Sequence, residues 1–91
     1  MMEVKIGMKG FVERGEDEGC YVVIQDDRER TGGYLVFYSR SPNFDDFVFD
    51  HWVEDGFLEK VIAARGWEGR WLDIRMTLDP VSNKPVEPSE P

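Results

Sequence analysis

The first half of the chain alternates apolar and polar positions in a way that predicts three β-strands. Over residues 4–12 the apolar side chains fall mainly on one parity and the charged ones on the other, as in a half-buried strand with Gly10 as a bulge. Residues 20–25 and 34–39 are β-branched and aromatic runs, which favour two further strands. Because only short, charged, glycine-bounded segments separate the three, we expect an antiparallel meander.

Residues 55–65 carry the pattern of one amphipathic helix. Asp55 is a favourable N-cap, and Gly66 suits the left-handed position that ends many helices. Such an end places Trp67 against Ile62. The apolar stripe of this helix consists of Phe57, Leu58, Val61 and Ile62.

The segments on either side of this helix differ in character. We interpret residues 44–52 as irregular or as one helical turn that lays Phe44, Phe47 and Phe49 over the sheet. After the helix, alternation up to Leu78 predicts a fourth strand that begins near Trp67 or Trp71. Residues 79–91 hold four of the five prolines, so we expect a single domain over residues 1–78 and a flexible Pro-rich tail over residues 79–91.

Together these elements predict an α+β fold. It is an antiparallel sheet of about four strands in the order β-β-β-α-β, with one helix packed on one face. Apolar side chains of the strands fall on both faces, and one helix covers only one of them. Either the aromatic segment wraps the second face or that face packs on another molecule, which leaves a structural homodimer as an alternative. The side chains in question are Tyr21, Val23, Tyr34, Val36 and Tyr38.

Composition narrows the classes of partner. The 91 residues carry 19 acids against 11 bases, a net charge of −8, which disfavours nucleic acid and anionic membranes and favours a basic protein. Cys20 is the one cysteine and lies in an apolar run, so we expect a buried, inert thiol in a reducing compartment. With no leader-like or membrane-length apolar stretch, the expected location is the cytoplasm.

The one histidine, His51, lies among acids and offers candidate chemistry. If the segment were locally helical, Asp46, Asp50 and Glu54 would share one side, and His51 would stand beside them. Such a group could bind a divalent metal or a small molecule, or perform acid–base chemistry, but one histidine without a second nitrogen or thiol rarely makes a zinc site. The alternative is a solvated acidic edge. We therefore predict no catalytic residue, no metal ligand and no cofactor.

Aromatic side chains and carboxylates are interleaved over residues 44–74, which contain all three tryptophans. Tryptophan is a frequent interface anchor, and acidic interleaving does not suit nucleic-acid stacking. We expect Trp67 to be core, whereas Trp52 and Trp71 are either core or contact surface. The predicted partner-binding residues are Asp45, Asp46, Asp50, Trp52, Glu54 and Trp71.

The chain resembles a group of small bacterial proteins of unknown function that share a Gly-Gly-Tyr-Leu strand start, a D-x-W-V-E-D segment and a Gly-Trp helix exit. These motifs begin here at Gly32, Asp50 and Gly66 and span about half of the chain. In size and charge the chain is also similar to immunity proteins of bacterial toxin systems. That likeness implies a non-catalytic domain that binds and inhibits a basic protein, and we adopt protein binding as the predicted function.

Overall fold

The computed structural model describes residues 3–86, which form an α+β fold around one antiparallel sheet. The predicted fold class is confirmed, but the sheet has five strands rather than four, and a second, short helix is present. In chain order the elements are β1 (Met8–Arg14), β2 (Tyr21–Asp27), α1 (Arg28–Thr31), β3 (Gly33–Ser39), β4 (Phe49–Glu54), α2 (Leu58–Arg65) and β5 (Glu68–Arg75).

The strands lie in the order β4-β3-β2-β1-β5, and every neighbouring pair is antiparallel. The meander β1–β2–β3 was predicted, although β1 begins at Met8 instead of Val4, since Gly7 adopts a positive φ of 74°. The last strand pairs with the first, with Met8 opposite Arg75. The register of that pair shifts between Lys9 and Gly10, where the sequence indicated a bulge.

The prediction for residues 44–52 was wrong in its second half, because residues 49–54 form the edge strand β4. The physical reason is an alternation of period two that we interpreted with helical spacing. Phe49, His51 and Val53 lie opposite Tyr38, Val36 and Tyr34, so this parity is on the face of the sheet that carries the larger core, and Val53 is buried there.

Helix α2 begins three residues later than predicted. Asp55 does not cap it, because the backbone N–H of Asp55 donates to the carbonyl of Gly32 at 3.2 Å and so extends the β3–β4 ladder. Gly56 then turns the chain with a φ of 97°, and Phe57 takes the N-cap position without a side-chain hydrogen bond. The predicted left-handed end at Gly66 is confirmed, with a φ of 64°.

One face of the sheet packs against α2 and forms the larger core. Leu58 and Ile62 of the helix meet the inward side chains of β1, β2, β3 and β4, and Trp67 is fully buried among them, as expected. The full set of buried side chains is Val12, Val22, Ile24, Val36, Val53, Leu58, Ile62 and Trp67.

The second face is covered in part by this chain itself. Phe44, from the segment between β3 and β4, is fully buried against Val23, Leu35 and Phe37, so the aromatic segment wraps this face as the first alternative proposed. The other two phenylalanines of that segment do not: Phe47 is 78% exposed and Phe49 is 58% exposed. Lys9, expected to face solvent, is buried on this side, because its ammonium donates to the carbonyl of Pro42 at 2.7 Å.

The C-terminal segment also contributes to this second face. Leu78 is fully buried, and its backbone N–H and carbonyl are both held by the side-chain amide of Gln25 at 2.9 Å. The chain then reverses, so that Leu78 bridges Pro85 and the N–H of Val86 donates to Thr77. The predicted flexible tail thus begins with a turn packed beside the sheet, and residues 87–91 lie outside the described part. No helix within residues 3–86 is long and apolar enough to cross a membrane.

Candidate functional site

Three of the predicted partner-binding residues lie side by side on the edge strand. Asp50, Trp52 and Glu54 alternate along β4, so their side chains project from the same face of the sheet, and all three are exposed. Trp52, at 48% exposure, stands between the two carboxylates. We call these three side chains the β4 surface.

The indole of Trp52 is held in place by the neighbouring strand and by α1. Trp52 Nε1 donates to Thr31 Oγ1 at 2.9 Å. The ring lies over Gly33, where a Cβ atom would meet both the indole and the carbonyl oxygen of Val53. A fixed, half-exposed ring loses little side-chain entropy when it is covered, which is a property of interface anchors.

The carboxylates of the β4 surface are not neutralised by neighbouring bases. Within residues 3–86 no lysine or arginine forms an ion pair with Asp50 or Glu54. Asp50 Oδ1 accepts one hydrogen bond, from Asn83 Nδ2 at 3.3 Å. The nearby bases Arg28 and Arg30 instead pair with acids of their own turn, at 2.8 Å and 2.9 Å. The local field at β4 is therefore negative.

The charged side chains of the β2–β3 turn pair with one another. Two hydrogen bonds between the carboxylate of Asp26 and the guanidinium of Arg28 lower the pKa of that carboxyl and raise the pKa of the guanidinium. Arg28 also lies over the ring of Tyr34 at 5.4 Å. The turn therefore presents paired charges, whereas the acids of β4 have no ion-pair partner in the part of the chain that the structure describes.

Asp45 and Asp46 extend the acidic surface beyond the start of β4. Both line a groove with Ser82, Asn83 and Lys84 of the C-terminal turn, and Asn83 reaches Asp50 from the same turn. Asp45 accepts a hydrogen bond from the hydroxyl of Ser41, and the backbone carbonyl of Asp46 accepts one from Ser39 Oγ at 2.7 Å. These contacts fix the segment while both carboxylates stay exposed.

Trp71 is not part of this group. It lies on β5, at the opposite end of the sheet from β4, which is about 19 Å away at the usual strand spacing. The ring is partly buried against the larger core, and its Nε1 donates to the carbonyl of Glu3 at 2.6 Å. The structure thus brings five of the six predicted residues to one side of the molecule and leaves Trp71 on the other.

His51 faces the opposite side of β4 from its acidic neighbours. Its ring meets Tyr38 edge-on, with centroids 5.8 Å apart, and Arg65 Nη2 approaches its Nε2 at 3.4 Å. Arg65 also donates to Asp17 Oδ2 at 2.6 Å, and Trp67 Nε1 donates to the same oxygen at 3.0 Å. This network joins β4, the end of α2 and the β1–β2 turn, which is the arrangement of a structural brace.

The electrostatics of His51 argue against the carboxylate–histidine site. Burial, followed by the charge of Arg65, lowers the pKa of His51, so the ring is neutral at pH 7. Strand alternation separates His51 from Asp50 and Glu54, and within the described residues no group of three potential metal ligands forms. The side chain of His51 and those of Asp50 and Glu54 therefore project from opposite faces of β4.

A cleft of about 530 Å³ lies at the end of the sheet where β4 begins. Tyr38 and Phe49, stacked with centroids 6.1 Å apart, form part of its wall together with Phe47 and Arg40. Cys20 also borders it but is buried, and burial raises the pKa of its thiol. The cleft is an aromatic-walled space that adjoins the acidic surface through Asp46.

Three features of this side of the molecule escaped the sequence interpretation. Phe49 is an exposed ring on β4, and Thr31 and Gly33 are the residues that position Trp52. The only signal for them in the sequence is the strand spacing of Phe49, His51 and Val53, and the same short run also fits helical spacing.

Comparison of the chain with protein-family models, curated proteins and solved structures found no match.

Proposed function

We propose that this protein is a non-catalytic binding domain that docks a basic protein through the β4 surface. The observation that carries the proposal is the trio itself: a positioned, half-exposed indole between two carboxylates that have no ion-pair partner within residues 3–86. Asp45 and Asp46 extend the negative surface. The net charge of −8 accelerates encounter with a cationic partner, and the covered ring slows its release.

The most concrete form of this function is an immunity-type inhibitor. The likeness in size, acidity and fold class to such proteins supports a basic toxin as the partner, covered by acids and rings. Inhibition of this kind needs no catalytic residue on the binding domain. Cytoplasmic location remains a prediction from the sequence.

The test is an affinity capture that compares matched variants. Tagged wild-type protein, the double variant Asp50→Asn/Glu54→Gln, Trp52→Ala and the control Ile74→Ala are exposed to a lysate of the source organism. Ile74 is exposed to a similar extent, 46%, but lies on β5 at the far edge. We expect a positively charged protein on the wild type and the control, and its loss from the other two.

The captured protein is then purified and titrated by calorimetry. We expect Trp52→Ala to weaken binding by about 2 kcal/mol, roughly thirtyfold, as for an interface anchor. Ile74→Ala should leave the affinity unchanged. Equal affinity for all four proteins, or an acidic captured protein, would contradict the proposal.

A second candidate is the binding of a small molecule in the aromatic-walled cleft. The observation that favours it is the stacked pair of Tyr38 and Phe49 in the wall of a cleft that Arg40 also lines. A fragment screen by NMR tests it. If fragments shift the resonances of Tyr38 and Phe49 and displace the basic protein, the cleft is part of the same site; if no fragment shifts them, this candidate fails.

A further inference from the structure

The outer edge of β4 is open and regular. β4 ends the sheet, and it pairs with β3 through six successive partners without a register shift. Among the described residues no strand pairs with its other side. An unpaired, regular edge offers a row of backbone donors and acceptors to an incoming strand.

The direction of these backbone groups follows from the register. Asp55 N–H donates to the Gly32 carbonyl, and this pair continues the β3–β4 register by one residue beyond Gly33 and Glu54. In an antiparallel ladder inward and outward residues alternate. The backbone N–H of Asp55 points toward β3. The N–H and C=O groups of Glu54, Trp52 and Asp50 therefore point away from β3, toward the open edge.

The other edge of the sheet, formed by β5, is irregular. β5 shifts register against β1 twice, and Asp73 takes a positive φ of 60° between Trp71 and Ile74. Bulges and twists of this kind interrupt the row of backbone groups that a new strand would need. Of the two edges, β4 is the one suited to pairing.

We propose that the basic partner adds one extended strand, antiparallel, to the open edge of β4. This inference rests on the proposed function and specifies how the partner is recognised. Residues whose side chains fall beside Asp50, Trp52 and Glu54 are lysine or arginine, since two carboxylates and the face of an indole attract cations. The alternate residues fall beside Phe49 and His51 and are apolar.

A second copy of this chain is a poor occupant of the same edge. Antiparallel pairing of two β4 strands about Trp52 sets Asp50 of each copy opposite Glu54 of the other. Like charges directly opposite one another destabilise a strand pair. Charge complementarity therefore selects a basic strand over a homodimer.

The test uses a short, end-blocked peptide that alternates lysine and valine, titrated into isotope-labelled protein and followed by NMR. We expect the amides of Asp50, Trp52 and Glu54 to gain protection from hydrogen exchange on binding. The amides of His51 and Val53, already inside the ladder, should change little. Increased salt should weaken the binding, because the attraction is electrostatic.

Two backbone-modified peptides provide the matched comparison. Antiparallel pairing that places the lysines beside Trp52 also points the lysine N–H groups toward β4. N-methylation of the lysines should therefore weaken binding by about tenfold or more, whereas N-methylation of the valines should not. A peptide of the same composition with all lysines first, and an acidic peptide with glutamate for lysine, should bind more weakly than the alternating one.

Any one of three results would overturn strand addition. The two methylated peptides could bind equally well, the amides of Asp50 and Trp52 could stay unprotected in the bound state, or the alternating peptide could fail to bind. Protein mass that doubles with concentration in light scattering, and is reversed by Trp52→Pro, would show a second copy on this edge instead. If the captured basic protein still depends on Trp52 and on the carboxylates, the proposed function stands while this mode of docking fails.

Discussion

At the scale of single residues, His51 shows how one side chain braces the edge strand. Its neutral ring contacts both Tyr38 and the guanidinium of Arg65, and that guanidinium also lies over the ring of Tyr38 and pairs with Asp17. A proton on the ring would place a second cation beside Arg65 in a half-buried position. The charges that act on the ring are Arg65 from α2, Asp17 from the β1–β2 turn and the adjacent Asp50 of its own strand.

This environment predicts a pH dependence of stability with a definite sign. The pKa of His51 is lowered in the folded protein, so below about 6.5 the unfolded chain takes up the proton first. The free energy of unfolding should therefore fall as the pH drops from about 6.5 toward the lowered folded pKa, with no contribution from His51 above that window.

Urea unfolding across this range measures the effect. His51→Gln has no group that titrates there, so its free energy of unfolding should fall less steeply than that of the wild type. Equal slopes for the two proteins, or a wild type that gains stability in acid, would show that the brace does not disfavour the charged ring.

The residues around His51 also mark what the sequence could and could not predict. The charge and exposure of Asp50 and Glu54 follow from their polarity, and the buried role of Trp67 follows from the helix end at Gly66. The partners of His51 cannot be predicted from the sequence, because Tyr38 and Arg65 reach it through strand pairing and helix packing, which link distant parts of the chain.

At the scale of elements, the segment between β3 and β4 covers the second face of the sheet with one fully buried side chain, Phe44, and the partly buried Val48. Phe44 is fully buried, and Phe47 three residues later is mostly exposed. Both adopt a positive φ, 53° and 45°, so the backbone cost at the two sites is similar. The two phenylalanines therefore form a natural pair for comparing burial alone.

Substitution of these two residues tests the cover. Phe44→Ala should lower the free energy of unfolding by about 3–5 kcal/mol, as for a large aromatic removed from a core. Phe47→Ala should change it by about 0.5 kcal/mol or less, as for an exposed site. Chemical denaturation of both variants checks this, and similar losses would mean that Phe44 is not the anchor.

The elements also explain why β4 escaped the sequence interpretation. Residues 46, 50 and 54 are acids at helical spacing, whereas residues 49, 51 and 53 are apolar or aromatic at strand spacing. Both periods fit so short a run, and only the pairing with β3 decides between them. The start of α2 was misplaced for the same reason, since Asp55 continues the β4 ladder before Gly56 turns the chain.

At the scale of the whole molecule, the sheet pairs the first strand in the sequence, β1, with the last, β5. β1 lies between β2 and β5, so the central part of the sheet is complete only when the last strand arrives. The sequence predicted the meander, but a fourth strand after the helix could pair at either edge. No local pattern selects β1 as its partner.

Such long-range pairing predicts slow folding. Proteins dominated by contacts between distant residues refold in roughly milliseconds to seconds, because the loop must close before the contacts form. Refolding followed by tryptophan fluorescence in a stopped-flow instrument should fall in this range, since Trp67, just before β5, and Trp71, within it, pack against the core formed by the earlier strands and α2. Refolding within microseconds would contradict this order of assembly.

The place of β5 also has a consequence for the protein during its synthesis. While a ribosome is still adding residues 68–75, β1 has long since emerged, and one side of it has nothing to bind. Until β5 has emerged from the ribosome and paired with β1, the nascent chain exposes an unpaired strand edge of the kind that chaperones cover. The moment of greatest risk for this protein therefore comes before its last strand leaves the exit tunnel.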